Sequence, residues 1–169
     1  MIPQDKHVGP GRANSNRQAV LYLADQRDTA VAELRPWVGA HVSTAVFRTI
    51  KDAKVVDLVK TRLSDKEWCD VYFGNPNEEK VELAVWSRIG EAYSKPVTLE
   101  DEPLDYLPTQ ILAELFRQIG FDGIKYASSV GEGHNVVLFD LMSAKLVECK
   151  VVKIAALKFE IKHEGPFLP

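Results

Sequence analysis

The sequence predicts an α+β domain with a mixed or largely antiparallel sheet. Short β-branched runs lie towards both ends of the chain, and two helical stripes lie between them. The regular strand–helix alternation of a parallel βαβ fold is missing. At 169 residues the chain suits one domain spanning 1–169, with enough length to bury an ordinary core. It contains no internal repeat and no low-complexity block.

Taken in order, residues 1–18 are rich in Gly, Pro, Asn and charge and read as a leading loop. Ala19-Val20-Leu21-Tyr22-Leu23-Ala24 is an apolar run of strand length. Asp25 and Asp28 offer N-cap carboxylates to a helix from Arg27 to Arg35, which Pro36 ends. The run from His41 to Arg48 alternates imperfectly and is rich in β-branched residues, so it reads as a second strand. Val55-Val56-Asp57-Leu58 reads as a third.

The middle is helical. From Glu78 to Tyr93 the spacing puts Val81, Val85, Ile89 and Ala92 on one face, expected to be core. From Pro108 to Ile119 the same holds for Ile111, Leu112, Leu115, Phe116 and Ile119, with Gly120 suited to the position just past the helix. The acidic stretch from Val97 to Leu107 reads as a loop. Strands return with Gly123–Tyr126, Asn135–Asp140, Lys145–Cys149 and Val152–Ile161.

Composition excludes some functions. Hydrophobic residues make up 46% and charged residues 27%, as in ordinary globular domains. A net charge of −3 gives no general attraction to nucleic acid or anionic membrane, so an anionic ligand needs a local cluster of arginines or backbone amides. The leading residues lack an apolar segment and no apolar run is long enough to span a bilayer, so a cytoplasmic location is expected. Cys69 and Cys149 lie far apart and outside any CxxC pair, and are expected to be reduced core residues. His7, His41, His134 and His163 lack ligand spacing, so no metal site is expected.

No GxGxxG, GxxxxGK[ST], HExxH or GxSxG pattern is present. Three places nevertheless set polar groups beside apolar elements. Gly9-Pro10-Gly11-Arg12-Ala13-Asn14 could bring backbone and a guanidinium to a phosphate, or could be a solvated loop. Glu33 stands in Ala30-Val31-Ala32-Glu33-Leu34, as a placed acid or a solvent-facing helix residue. Tyr126 to Asn135 is a loop of small residues and glycines that could wrap a ligand or simply join two strands.

Together these segments resemble the RES domain, a family named for an arginine, a glutamate and a serine. Gly11-Arg12-Ala13-Asn14, Leu21-Tyr22-Leu23-Ala24 and Ala32-Glu33-Leu34-Arg35-Pro36 resemble its first block. Tyr106-Leu107-Pro108-Thr109-Gln110, Gly120-Phe121-Asp122-Gly123-Ile124, Tyr126-Ala127-Ser128-Ser129 and Asn135-Val136-Val137-Leu138-Phe139 resemble its second. The resemblance runs from about Gly11 to Asp140 and keeps the family's order. Ser15-Asn16-Arg17 departs from the usual Pro and Gly there, and Ala127 stands where proline is common.

This resemblance implies a fold related to ADP-ribosyltransferases and a toxin that degrades NAD⁺ as its substrate, without a metal. It also implies a protein partner, an Xre-like helix-turn-helix antitoxin that covers the active site; a homodimer is a further partner state it allows. The family's arginine corresponds to Arg12, its tyrosine to Tyr22 and its glutamate to Glu33. Its serine corresponds to Ser128 or Ser129, with Ser128 favoured by the Tyr-x-Ser-Ser spacing. On this reading Arg12 grips phosphate, Tyr22 brackets nicotinamide, and Glu33 opposes positive charge growing on the ribose. Ser128 holds ribose or orients Glu33, Ser129 adds a ligand contact, and Asn135 supports the loop. Water, phosphate or a protein side chain remains open as acceptor, and a non-catalytic NAD-binding module is the alternative to an enzyme.

Overall fold

The computed structural model describes residues 8–96, 103–158, 161 and 165. Ten regular elements build it: β1 (Leu21–Ala24), α1 (Arg27–Ala32), β2 (His41–Thr49), β3 (Val55–Asp57), α2 (Asp65–Phe73), α3 (Glu78–Ser94), α4 (Leu107–Gln118), β4 (Gly123–Ala127), β5 (His134–Leu138) and β6 (Ala144–Lys153). The mixed α+β class agrees with the sequence. One sheet has the order β1-β5-β4-β3, antiparallel except for the parallel β3–β4 pair. A second sheet pairs β2 with β6 antiparallel, with a register irregularity between Val46 and Phe47.

Strand alternation divides the larger sheet into two faces. Register pairs Tyr22 with Val137, Ile124 with Val137, Tyr126 with Asn135 and Val56 with Ile124, so these side chains share one face. Val56, Ile124, Tyr126 and Val137 join Tyr93 of α3 and Ala113 and Phe116 of α4 in the main core. The opposite face carries Leu21 and Leu138, which pack with Ala144 and Phe47 of the smaller sheet. A slip of one residue in any of these pairings would turn the site residues to the wrong side.

The helical stripes meet the core through only part of the expected set: Ile89, Leu112 and Phe116 pack there. On α3, Val81 and Val85 are 46% and 54% exposed, whereas Ala84, Ser87, Gly90 and Tyr93 are buried. Small residues let the helix lie close to the chain beneath, and Ser87 Oγ accepts from Leu63 N at 3.1 Å. On α4, Phe116 is buried as expected, but Ile111, Leu115 and Ile119 face solvent while Thr109 and Ala113 are buried.

Smaller differences are local. Asp25 does not cap α1; its carboxylate accepts from His134 N at 3.0 Å and lies 3.1 Å from His134 Nδ1. The N-cap is Gln26, which makes no side-chain cap bond, and α1 ends at Ala32 with Glu33 as C-cap. α2 was not expected, although Ser64 and Glu67 form a capping box legible as Ser-x-x-Glu. Two strands expected at the end of the chain are one, β6, and residues 154–158 are irregular. Of the loop expected from Val97 to Leu107, residues 97–102 lie outside the described residues, Pro103–Tyr106 form a 3₁₀ turn and Leu107 opens α4. Cys69 and Cys149 are exposed, not core. Among the described residues no helix is long and apolar enough to cross a membrane.

Candidate active site

The loop before β1 is the first wall of the site. Asn14 is buried, donates from Nδ2 to the Gly9 and Ser15 carbonyls at 2.9 and 3.0 Å, and accepts from Tyr22 Oη at 2.9 Å. Tyr22 Oη also accepts from Ala13 N at 3.1 Å. A Cβ on Gly11 would stand 2.7 Å from both Asn14 Oδ1 and Tyr22 Oη, so this close approach requires glycine. Gln110 Nε2 of α4 donates to the Gly11 carbonyl at 2.9 Å and fixes the loop from the other side. With its hydroxyl turned to this loop, the Tyr22 ring is 45% exposed and borders a cavity of about 270 Å³. Burial raises the Tyr22 pKa above its usual value, partly offset by the Ala13 N–H and the Arg12 charge, so it stays a phenol.

Arg12 borders the same cavity but has protein partners. Its Nη1 and Nη2 donate to the Ala92 and Lys95 carbonyls at 3.1 and 2.8 Å, and its guanidinium carbon lies 5.1 Å from the Tyr106 ring centre. These carbonyls end α3, where a cation suits the helix dipole. Arg12 therefore fastens the leading loop to α3 as well as facing the cavity.

Glu33 comes from the end of α1, and two staples hold that helix near the β4–β5 turn. Backbone Asp25 N donates to the His134 carbonyl at 3.1 Å, and Thr29 Oγ1 donates to the Glu132 carbonyl. Gly133 permits the turn: its φ of 90° is left-handed, and a Cβ there would strike the Asp25 carboxylate. Glu33 Oε1 then accepts from Ser128 Oγ at 2.9 Å and from Asn135 Nδ2 at 2.5 Å. The two neighbouring serines separate: Ser128 touches Glu33, while Ser129 lines the cavity.

Arg12, Tyr22, Glu33, Ser129 and Asn135 all border one cavity, and Ser128 reaches it through Glu33. The lining also contains residues that sequence reasoning did not select. Arg35 has a left-handed φ of 47° immediately before Pro36, a costly conformation for a non-glycine residue. Its side chain has no hydrogen bond or ion pair among the described residues. Lys95, Tyr93, Tyr106 and Tyr126 also belong to this group. Arg35 and Tyr126 stand inside the matched segments, and strand alternation from Ile124 signals the inward face for Tyr126. The Arg12, Arg35 and Lys95 cations outnumber Glu33, the lone carboxylate among the described lining residues. A chain of net charge −3 has thus gathered positive charge in one cleft. Among the described residues no cluster of three His, Cys, Asp or Glu could hold a metal ion.

An arginine, a tyrosine, a glutamate and a serine thus converge on a cationic cleft at the edge of an α+β sheet, an arrangement suited to an anionic ligand with hydroxyl groups. The family model described as RES domain matches residues 4–162, and the chain belongs to the RES-domain family. That family includes toxins of toxin–antitoxin pairs and is associated with degradation of NAD⁺. No curated protein and no solved structure matches the chain.

Proposed function

We propose that this protein is the toxin of a RES–Xre pair and depletes NAD⁺ by cleaving the nicotinamide–ribose bond, with water or phosphate as acceptor. One observation carries the reading. Glu33, oriented by both Ser128 and Asn135, is the lone acid among the described residues lining a cleft that also holds Arg12, Arg35 and Lys95.

The chemistry follows from charge. As the bond from C1′ to the pyridinium nitrogen breaks, its electron pair goes to that nitrogen and neutral nicotinamide leaves. Positive charge then grows on the ribose carbon and ring oxygen. A fixed carboxylate stabilises that charge more in the transition state than in the ground state. Glu33 fits this role because two neutral donors, Ser128 and Asn135, fix its position in the cleft. Arg12 and Arg35 would hold the diphosphate, and the exposed Tyr22 ring would lie against the nicotinamide. Ser129 supplies a hydroxyl to the ribose. Water or phosphate then bonds to C1′, and water releases its proton to solvent.

The reading includes a fold related to ADP-ribosyltransferases, a cytoplasmic site of action, and an Xre-like antitoxin covering the cleft. Incubating purified protein with NAD⁺ and separating the products tests it. Nicotinamide together with ADP-ribose, or with phosphorylated ADP-ribose, is expected. Intact NAD⁺ at high protein concentration overturns the proposal, and label recovered on a protein side chain replaces it with ADP-ribosyl transfer. In cells, expression should arrest growth and co-expressed antitoxin should restore it.

A further inference from the structure

Tyr22, Tyr93 and Tyr126 all line the cleft, and their hydroxyls are treated differently. Tyr22 Oη bonds Asn14 and Ala13, and Tyr93 Oη donates to the Thr109 carbonyl at 2.5 Å. Tyr126 makes no hydrogen bond among the described residues, although only 8% of its surface is exposed and it borders the cavity. Arg117 Nε is the one sealed side-chain polar atom without a hydrogen-bond partner among the described residues; the Tyr126 hydroxyl instead opens onto the cavity, where a ligand oxygen can displace solvent and take its hydrogen bond.

Its placement is fixed by the fold. Tyr126 lies on β4 directly across from Asn135, the residue that grips Glu33. Its ring packs against Tyr93 with centres 5.8 Å apart, and both rings belong to the main core. The hydroxyl is thus carried by a side chain with little freedom to move, on the lining that also includes Glu33. We infer that Tyr126 is a substrate-binding residue whose hydroxyl donates a hydrogen bond to an oxygen of the nicotinamide ribose, the sugar whose positive charge Glu33 opposes.

Burial, with Tyr22 and Glu33 nearby, holds the Tyr126 phenol well above its ordinary pKa. It therefore remains a donor at physiological pH and has no tendency to act as a base. A donor suits a hydroxyl or ring oxygen and cannot serve a ligand group that only donates. Tyr126 and Glu33 then act on one sugar in complementary ways, one by a donated hydrogen bond and the other by its negative charge.

This inference rests on the NAD⁺ reading, and the test separates the two. Tyr126→Phe removes the hydroxyl and keeps the ring, so the melting temperature should stay the same or rise. Affinity for ADP-ribose, measured by calorimetry, should fall roughly 3- to 10-fold, the range for one neutral hydrogen bond. KM for NAD⁺ should rise by a similar factor. Unchanged affinity and KM in an active enzyme overturn the role of Tyr126 and leave the proposed function standing. A melting temperature lowered by several degrees also overturns it, because the hydroxyl then serves the fold. Wild-type protein that neither binds ADP-ribose nor releases nicotinamide removes both.

Discussion

Asn135 Nδ2 donates to Glu33 Oε1 across 2.5 Å, joining a strand to a helix end 102 positions away. Ser128 Oγ meets the same oxygen from 95 positions away. The carboxylate is thereby aimed by two neutral donors. Glu33→Gln retains an acceptor for both but loses the negative charge, so the fold should hold while kcat falls by roughly 10²–10³-fold or more. Asn135→Ala leaves Ser128 in place and should lower kcat roughly 10- to 100-fold. Nicotinamide release and thermal melting measure both variants, and full activity in Glu33→Gln would remove its assigned role.

Gly11 has no room for a methyl group beside Tyr22 and Asn14. Gly11→Ala should cost about 1–3 kcal/mol and reduce turnover by displacing Tyr22. Gly9, whose added Cβ meets nothing within 4 Å, is the internal control. Denaturant midpoints of the two variants should differ clearly; equal midpoints would show that the loop adapts.

Arg35 holds a left-handed backbone at the cleft. Arg35→Gly should relieve that strain, adding about 0.5–1 kcal/mol of stability after the entropy of glycine is subtracted. The same change removes a cation from the diphosphate wall, so KM for NAD⁺ should rise roughly 10-fold. A variant that gains stability and keeps its KM would show that Arg35 does not bind the substrate.

Asp57 supports the sheet edge opposite β1. Burial opposes its charge, but a hydrogen bond and charge pairing with Lys125 at 3.3 Å outweigh burial and lower its pKa. A lowered folded-state pKa stabilises the fold above the unfolded value near 4, and that stability is lost as pH falls through the folded value. Asp57→Asn should therefore cost about 1 kcal/mol at neutral pH, because both side chains remain partly in water. The difference should shrink below about pH 4 in acid unfolding curves. A pH-independent difference would place the effect in packing.

Local signals carried much of the architecture. Strand runs around Leu21, Val42 and Val137 and the left-handed Gly120 after α4 need only neighbours in sequence, as does the Ser64 capping box of α2, a helix the sequence reading missed. The motif segments likewise named Arg12, Tyr22, Glu33, Ser128, Ser129 and Asn135. Helix faces were harder to read, because an apolar stripe says that a surface is greasy without saying what packs on it. On α3 close approach selected Ala84, Ser87 and Gly90 in place of Val81 and Val85.

The sequence alone determined the α+β class, most of the elements in their order and the residue types available for chemistry, since these depend on short-range backbone preference and spacing. Only the tertiary structure decided that Arg12 braces α3, that Ser128 and Asn135 share one oxygen of Glu33, and that Tyr126 faces the cleft with its hydroxyl unused. Such relations depend on how distant segments pack together, and no local pattern records that packing.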